Sequence, residues 1–308
     1  MAVDRPDESG LRERLEAYAT LVRVPNLFSA PPDVLLGAAL ATAAGTAVPI
    51  PALAGLCLAA VLLYAGGTTL NDYFDAPIDA TERPERPIPS GRVSRRAAGV
   101  LGGSLLVAGV VLAFVAAGLR AGVLAAALAA TIALYDGALK GGPVGFLAMG
   151  AARGLNVLLG TVAAGTIALP AWALAVPVIV ALYIALVTYM AANEATDTPR
   201  GAVAAAAAGV VVATAAVLGV VATVGPPIAW GGLAVVLVAA FLAWTGRALA
   251  PAYADPRPGT VGPAVGACVL GLALLDAAFA AVVGITWSLA VLAFLVPALA
   301  LARTFDVS

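Results

Sequence analysis

Histidine is absent from this 308-residue chain, and charged residues make up only 11% of it. The lack of an imidazole excludes catalytic triads that need one, histidine general bases and histidine–carboxylate metal sites. Soluble globular proteins carry about 25% charged residues, so the low charge content excludes that class. The net charge of −1 gives no basic surface for nucleic acid, and no nucleic-acid partner is expected.

Cysteine is also scarce, with one residue at Cys57 and another at Cys268. Both fall inside apolar runs, and neither belongs to a C-x-x-C pair. We therefore interpret them as small core residues rather than as a disulfide or a metal site.

Long apolar runs are abundant, and the mean hydropathy is +1.04. Runs of roughly 20 residues, the length that crosses a 30 Å hydrocarbon core as a helix, recur along the chain. The predicted fold class is all-α: a polytopic transmembrane helical bundle of nine to ten spans, with cytoplasmic Asp-rich loops over a central cavity. The ten candidate spans are residues 27–47, 51–70, 97–119, 122–135, 144–166, 171–192, 203–224, 228–248, 263–284 and 285–302.

The chain divides into an N-terminal segment, 1–26, and a single transmembrane domain, 27–308. In the first segment, Leu11, Leu15, Tyr18 and Val22 recur at helical spacing with charged residues between them. This pattern predicts an amphipathic helix, either on the membrane surface or simply solvated.

The loops predict the orientation. Short turns join the spans on one side, and longer polar connections join them on the other. Of the 16 lysine and arginine residues, only Arg120 falls on the short-turn side. Because basic residues near span ends stay cytoplasmic, we expect an integral protein of the inner (cytoplasmic) membrane, with the Asp-rich loops and both termini in the cytoplasm.

Acidic residues are concentrated in "LNDYFDAPIDATERPERPIPSGR", directly after the second span. Asn71, Asp75 and Asp79 are spaced by four residues, which places them along one helix face, with Asp72 on the neighbouring face. Pro77 disfavours a regular helix beyond about residue 74. Asp79 is therefore predicted to approach from an irregular turn.

Carboxylates this close repel one another unless a cation lies between them. A Mg²⁺ ion bridging their oxygens to a diphosphate would relieve that repulsion, since Mg²⁺ binds one or two carboxylates together with substrate phosphates. The alternative is a solvated loop whose acids pair with nearby arginines. A second cluster, "MAANEATDTPRG", supplies Asn193, Glu194 and Asp197 at the end of the sixth span, and two acidic groups suit two metal ions on one diphosphate.

The first acidic stretch resembles the Asp-rich signature of the UbiA superfamily of intramembrane prenyltransferases, N-D-x-x-D-x-x-x-D followed by R-P-x-x-S-G. The N-E-x-x-D form of the second cluster is similar to the EboC-like branch of that family. The resemblance implies transfer of a prenyl group from a prenyl diphosphate to a hydrophobic acceptor within the lipid bilayer, with Mg²⁺ as cofactor. The metal group it implies is Asn71, Asp72, Asp75 and Asp79, joined by Asn193, Glu194 and Asp197.

The resemblance also implies roles outside the acidic motifs. In "YDGALKGG", Tyr135 and Lys140 would act at the diphosphate end, and Arg153 would neutralise the leaving group with them. The residues expected to contact substrate are Arg86, Asn156, Asn26 and Asp33, although Asp33 serves equally well as a helix-entry residue after two prolines.

Two features leave other functions open. Family members usually carry an acid where this chain has Gly201, which weakens the second metal group. Asp276 lies in the middle of an apolar run, where ionisable residues are costly and suggest function, yet the sequence assigns it no role in prenyl transfer. A non-catalytic binder of a prenylated lipid and an exporter of a hydrophobic metabolite are therefore the alternatives. Nothing in the sequence predicts the acceptor, the prenyl length or an oligomeric state.

Overall fold

Helices account for most of the chain that the computed structural model describes, which is residues 8–165, 169–192 and 198–302. No strand occurs in these ranges. A π-helical turn at Tyr135–Leu139 follows α5, and a short 3₁₀ turn at Val162–Ala164 follows α6. The helices are α1 (Glu8–Leu21), α2 (Val24–Leu27), α3 (Ala30–Ala43), α4 (Ile50–Glu82), α5 (Arg95–Leu134), α6 (Pro143–Thr161), α7 (Ala171–Ala191), α8 (Arg200–Val224), α9 (Ile228–Ala254), α10 (Pro258–Val283), α11 (Ile285–Ala293) and α12 (Leu295–Ala302).

Among the described residues, seven helices are long and apolar enough to cross a membrane: α4, α5 with its π-helical turn, and α6 to α10. Their side chains are predominantly small, so the backbones approach closely. The predicted all-α transmembrane bundle is confirmed, whereas the number of crossings stays a prediction.

The first and last predicted spans differ from expectation. Helix α3 has only 14 residues, about 21 Å at 1.5 Å per residue, which is shorter than the hydrocarbon core. Its residues from Ala30 to Ala41 are all buried, so it packs inside the bundle rather than against lipid. The predicted tenth span is helical but interrupted, because α11 and α12 are separated at Phe294.

The third and fourth predicted spans both lie within α5, which breaks at Ala117 and Gly118. Gly118 has a φ of 80°, a left-handed conformation that glycine adopts without a steric penalty. Leu106 from the first part packs on Gly66 of α4, and Ile132 from the second part packs on the neighbouring Gly67. Both parts therefore lie against α4.

Arg120 marks one end of the bundle. Its guanidinium donates to the carbonyl oxygen of Gly165, 2.8 Å away, just after α6. The turn inside α5 and the turn after α6 therefore lie at the same end, as the short-turn pattern predicts.

Helices α3 and α6 cross at two glycines. A Cβ atom on Gly37 would lie 1.9 Å from the carbonyl oxygen of Val157, and one on Gly160 would lie 2.0 Å from that of Val34. Only hydrogen side chains fit this crossing. It brings Asp33 and Asn156, each one helical turn before its glycine, to the same level of the bundle.

The predicted N-terminal helix is present as α1. Ala17 and Leu21 are buried against Val93 and Ala98, so one face packs on the start of α5. The division into an N-terminal segment and one transmembrane domain stays a prediction, as does a membrane-surface location for α1. Both cysteines are free, with Cys57 half-buried and Cys268 buried.

Candidate functional site

The acidic residues stand on a helix, not on a loop. Helix α4 runs to Glu82, so the prediction that Pro77 ends it near residue 74 is wrong. Proline has no N–H and cannot bond to the carbonyl of residue i−4, here Tyr73. Arg95 supplies the missing donor, with its Nε 3.1 Å from the Tyr73 carbonyl oxygen and its guanidinium stacked 4.8 Å from the Tyr73 ring centroid.

Because the helix continues, Asp72 and Asp79 lie two turns apart on one buried face. A single nitrogen of Arg86 contacts both, 3.3 Å from Asp72 Oδ1 and 2.9 Å from Asp79 Oδ2. The structure thus pairs Asp79 with Asp72, whereas the sequence pattern grouped it with Asn71 and Asp75. Arg86, which is predicted to contact substrate, thus lies against the acidic residues of α4.

A second cation in this group, Arg23, was missed by the sequence reasoning. Its Nη2 lies 3.0 Å from Asp72 Oδ1, although the two residues are far apart in the chain. Arg23 has a φ of 51°, and it is the one non-glycine residue with positive φ in the described part of the chain. Such conformations persist where the surroundings impose them and cluster at functional sites. A lone arginine just before the predicted first span was the available signal.

Asn71 and Asp75 lie beside the π-helical turn. Asn71 Nδ2 donates to Asp136 Oδ1 at 2.9 Å, and Lys140 forms an ion pair with Asp75. Tyr135 lies close enough to Asp136 and Asp75 to interact with both electrostatically. Tyr135, Lys140 and the first acidic group are therefore together, as the resemblance implies.

Asp136 is the second residue that the sequence reasoning missed. It is only 8% exposed, and it belongs to a π-helical turn, a form of helix that is common at functional sites. Its position directly after Tyr135 was a usable signal.

Four carboxylates and three cations form this group, which we call the acidic centre: Asp72, Asp75, Asp79 and Asp136 with Arg23, Arg86 and Lys140. The hydrogen bonds and ion pairs within the described ranges use one oxygen of each carboxylate. The second oxygens, with Asn71 Oδ1, are the hard oxygen donors that Mg²⁺ prefers. No three acidic, histidine or cysteine side chains converge as a cage in the described residues.

A separate polar cluster lies deeper in the bundle. Arg153 Nη1 contacts Asp33 Oδ2 at 3.0 Å, and Asn156 Nδ2 contacts the same oxygen at 2.9 Å. Arg153 Nη2 also bonds to Ser29 Oγ at 3.1 Å, and Ser29 in turn donates to the backbone carbonyl of Asn26 at 2.8 Å. Three predicted site residues thus meet, and Asn26 is one hydrogen bond away. None of them pairs with the acids of α4 in the described structure.

The second acidic motif, Asn193, Glu194 and Asp197, lies outside the described residues. Gly201, where the family usually has an acid, is in the first turn of α8. It is exposed, and a Cβ atom there would meet nothing within 4 Å.

An open apolar groove of about 1030 Å³ lies between α1, α4 and α5. Val22, directly before Arg23, and Ala65, two turns before Asp72, are in its wall. The groove therefore leads from the neighbourhood of the acidic centre along the outside of α4.

A sequence profile described as the UbiA prenyltransferase family matches residues 34–248, more than two thirds of the chain. The chain belongs to the UbiA prenyltransferase family. Together with its seven span-length helices, this membership identifies it as an integral membrane protein.

Curated relatives of this UbiA family member include two digeranylgeranylglyceryl phosphate synthases. The one from Ignicoccus hospitalis is 42% identical over 99 residues, covering 32% of this chain and 31% of the relative. The one from Methanosarcina mazei is 34% identical over 157 residues, covering 47% and 54%. The chain spans about a third of the length of the first relatives it matches.

Solved structures of UbiA proteins share the fold over nearly the whole chain. A digeranylgeranylglyceryl phosphate synthase structure matches with a TM-score of 0.64 at 20% identity, over 89% of this chain and 99% of the other. A UbiA homolog from Archaeoglobus fulgidus bound to GPP and Mg²⁺ matches with a TM-score of 0.62 at 14% identity, over 90% and 99%. At these identities the similarity establishes the fold.

Proposed function

We propose that the protein catalyses Mg²⁺-dependent transfer of a prenyl group from a prenyl diphosphate to a lipid-like or small aromatic acceptor within the membrane. The observation that carries this proposal is the acidic centre, where four carboxylates meet three cations at one end of an apolar bundle. A diphosphate bearing an apolar tail matches both parts of that environment. Family membership and the relatives' names support the same reaction class.

The cations of the acidic centre would bind the diphosphate. Lys140 and Arg86 now neutralise Asp75, Asp72 and Asp79, so an incoming diphosphate competes for the same positive charges. Asn71, Asp72, Asp75 and Asp79 would hold Mg²⁺ through their unpaired oxygens, with Asp136 fixing the Asn71 amide. The metal, when bound, supplies positive charge that stabilises the departing diphosphate.

The reaction breaks the bond between the first prenyl carbon and the diphosphate oxygen, and it forms a bond from that carbon to the acceptor. The diphosphate leaves with the bonding electrons, and the acceptor loses a proton. Lys140 and Arg86 would stabilise the charge that develops on the leaving oxygens, the usual large electrostatic contribution to catalysis. Water would intercept the allylic cation, so an apolar surrounding such as the α1–α4–α5 groove would protect it and receive the tail.

The relatives named digeranylgeranylglyceryl phosphate synthase favour a lipid-like acceptor for this chain as well. An aromatic acceptor is the other candidate, because the family resemblance leaves both open. The acceptor class is best tested by offering a glyceryl phosphate ether lipid and a hydroxylated aromatic side by side.

A second candidate function is non-catalytic binding or export of a prenylated lipid. It is favoured by the pairing of Asp72, Asp75 and Asp79 with the cations of the acidic centre and by the glycine at position 201. Both candidates predict diphosphate binding, and only the first predicts turnover.

Turnover of labelled prenyl diphosphates by membranes containing the protein separates these candidates. We expect product with Mg²⁺ and none with EDTA, and we expect Asp75→Asn to abolish it while leaving the protein folded. Asp255→Asn, at an exposed ion pair away from the centre, is the matched control. Tight donor binding without product from any acceptor would establish the binder instead.

We further propose that the acidic centre faces the cytoplasm. Arg23, Arg86, Arg95 and Lys140 lie at this end, and Arg120 lies at the other, the distribution that the positive-inside rule associates with this orientation. Single cysteines at exposed Ala80 and Ala229, introduced after replacing both native cysteines with alanine, test it. A membrane-impermeant thiol reagent outside intact cells should label Ala229→Cys only; the reverse pattern contradicts the proposal.

A further inference from the structure

Two aspartates from distant parts of the chain meet in the interior of the bundle. Asp33 comes from α3 and Asp276 from α10, and both are 0% exposed. Helices α3 and α10 pack against each other, and the two carboxyl groups are close enough to interact electrostatically. Neither belongs to the acidic centre, and the proposed prenyl transfer uses no property of Asp276.

Only one of the four carboxylate oxygens in this pair receives a hydrogen bond in the described structure. Arg153 and Asn156 both donate to Asp33 Oδ2, at 3.0 and 2.9 Å. Their other donor contacts are to Ser29 and to the Ala30 carbonyl. Asp33 Oδ1 and both Asp276 oxygens are buried and receive no hydrogen bond from any residue that the structure describes.

The charges do not balance within this cluster. Arg153 supplies one positive charge, and the two carboxylates would supply two negative charges. An unpaired buried carboxylate is strongly unfavourable, and a second carboxylate in contact with it makes the arrangement worse. One additional monovalent positive charge at the Asp33–Asp276 contact restores neutrality.

The neighbouring side chains do not provide that charge or a donor. Tyr183 of α7 faces Asp276, but its hydroxyl donates to the carbonyl oxygen of Cys268 at 2.8 Å. Tyr64 of α4 lies beyond Arg153, with the guanidinium 5.8 Å from its ring centroid. Within the described ranges, these and Arg153 are the titratable groups that face the two aspartates.

We propose that Asp33 and Asp276 form a buried cation-binding site that holds a single proton. Asp276 is the acid, and its O–H donates to Oδ1 of Asp33, which remains the ion-pair partner of Arg153. The proton supplies both the missing charge and the missing donor. The site therefore ties α10 to α3 and α6 through a neutral hydrogen-bonded unit, a form that the membrane interior tolerates. A bound Na⁺ would balance the charge equally, so the experiment must separate the two cations.

Infrared spectroscopy of the full-length protein in lipid nanodiscs detects the proton directly. Near neutral pH we expect a carbonyl band of a protonated carboxyl group in the membrane interior, shifted by ¹³C-aspartate labelling and lost in Asp276→Asn. Absence of this band from the wild-type protein overturns the proposal, whatever the variants do. Because the measurement needs neither substrate nor turnover, it is independent of the proposed catalytic function.

Thermal unfolding provides the second measurement and the control. Asparagine at 276 reproduces a neutral side chain with an N–H donor, so Asp276→Asn should unfold within a few degrees of wild type. Asp33→Asn should unfold much earlier because it leaves Arg153 unpaired. Replacing choline with Na⁺ should shift wild type and Asp276→Asn equally. A Na⁺-specific stabilisation that is lost in Asp276→Asn would identify a sodium site and overturn the proton assignment.

Discussion

Arg95 donates its Nε to the carbonyl oxygen of Tyr73, 3.1 Å away, and this is the carbonyl that Pro77 leaves without a helical partner. The contact explains how α4 continues through a proline for a further turn and carries Asp79 to the same face as Asp72. An arginine at the start of one helix thereby determines the geometry of an acidic group on another.

We predict that Pro77 and Arg95 are energetically coupled. Arg95→Met should cost about 1 kcal/mol of unfolding free energy, since it leaves the Tyr73 carbonyl unsatisfied. In a Pro77→Ala background the alanine N–H can bond to that carbonyl, so the same change should cost much less. A double-mutant cycle in mixed micelles measures this coupling, and additive effects of the two changes would contradict it.

Arg86 joins two buried carboxylates, whose side chains are each 6% exposed. Arg86→Met should therefore destabilise the fold by about 3 kcal/mol, the usual result of breaking a buried ion pair on one side. Adding Asp79→Asn should recover part of the loss, because it removes one of the uncompensated charges. Denaturant titration of the single and double variants checks this, and Arg86→Lys is the control that retains charge. An unfolding free energy of Arg86→Met equal to that of wild type would contradict this prediction.

Asp136 carries a negative charge and also accepts a hydrogen bond from Asn71 at 2.9 Å. Substitutions can separate these two properties. Asp136→Asn keeps the acceptor oxygen and removes the charge, whereas Asp136→Leu removes both. We expect the Mg²⁺ concentration for half-maximal turnover to rise roughly tenfold in the first variant and up to about 100-fold in the second, the range found when partners of metal ligands are replaced. Direct binding of Mn²⁺ in the presence of a prenyl diphosphate should weaken in the same order. Equal Mg²⁺ dependence of both variants and wild type would show that Asp136 plays no part in the site.

Gly201 offers a gain-of-function test of the weakened second motif. Its position is exposed and sterically open, and an acid in the first turn of α8 interacts favourably with the helix dipole. Gly201→Asp should change stability by no more than about 0.5 kcal/mol while lowering the Mg²⁺ concentration needed for turnover. Gly201→Asn is the uncharged control. If both variants lowered the Mg²⁺ concentration needed for turnover, the effect would not come from the charge at this position.

The crossing of α3 and α6 should tolerate no side chain at Gly160. Gly160→Ala places a methyl group against the carbonyl oxygen of Val34 and should cost about 3 kcal/mol, the upper end for overpacked interiors. Gly219→Ala on α8, where a Cβ atom meets nothing within 4 Å, should leave stability unchanged or raise it by up to about 1 kcal/mol. Thermal unfolding of the two variants side by side decides the matter, and equal midpoints would contradict the close crossing.

The long-range partners could not be predicted from local patterns. Helical spacing correctly placed Asn71 and Asp75 next to one another, and the family signature identified Tyr135 and Lys140 as their neighbours. The prediction that Pro77 ends the helix near residue 74 failed because the proline penalty is local, whereas Arg95, which compensates for it, comes from another helix. Arg23 and Asp136 were missed because a single arginine or aspartate carries no periodic signal.

The sequence by itself determined that this protein folds in a lipid bilayer and that it forms helices. Apolar runs of span length can satisfy their backbone polar groups in lipid only as helices, so composition and run length were sufficient. Only the tertiary structure decided which charges neutralise one another. The partners Asp72 and Arg23, or Asp33 and Arg153, come from segments far apart in the chain, and close approach at small residues such as Gly37 and Gly160 brings α3 against α6. Ion pairing depends on distances of a few ångströms, and those distances exist only once the helices have packed.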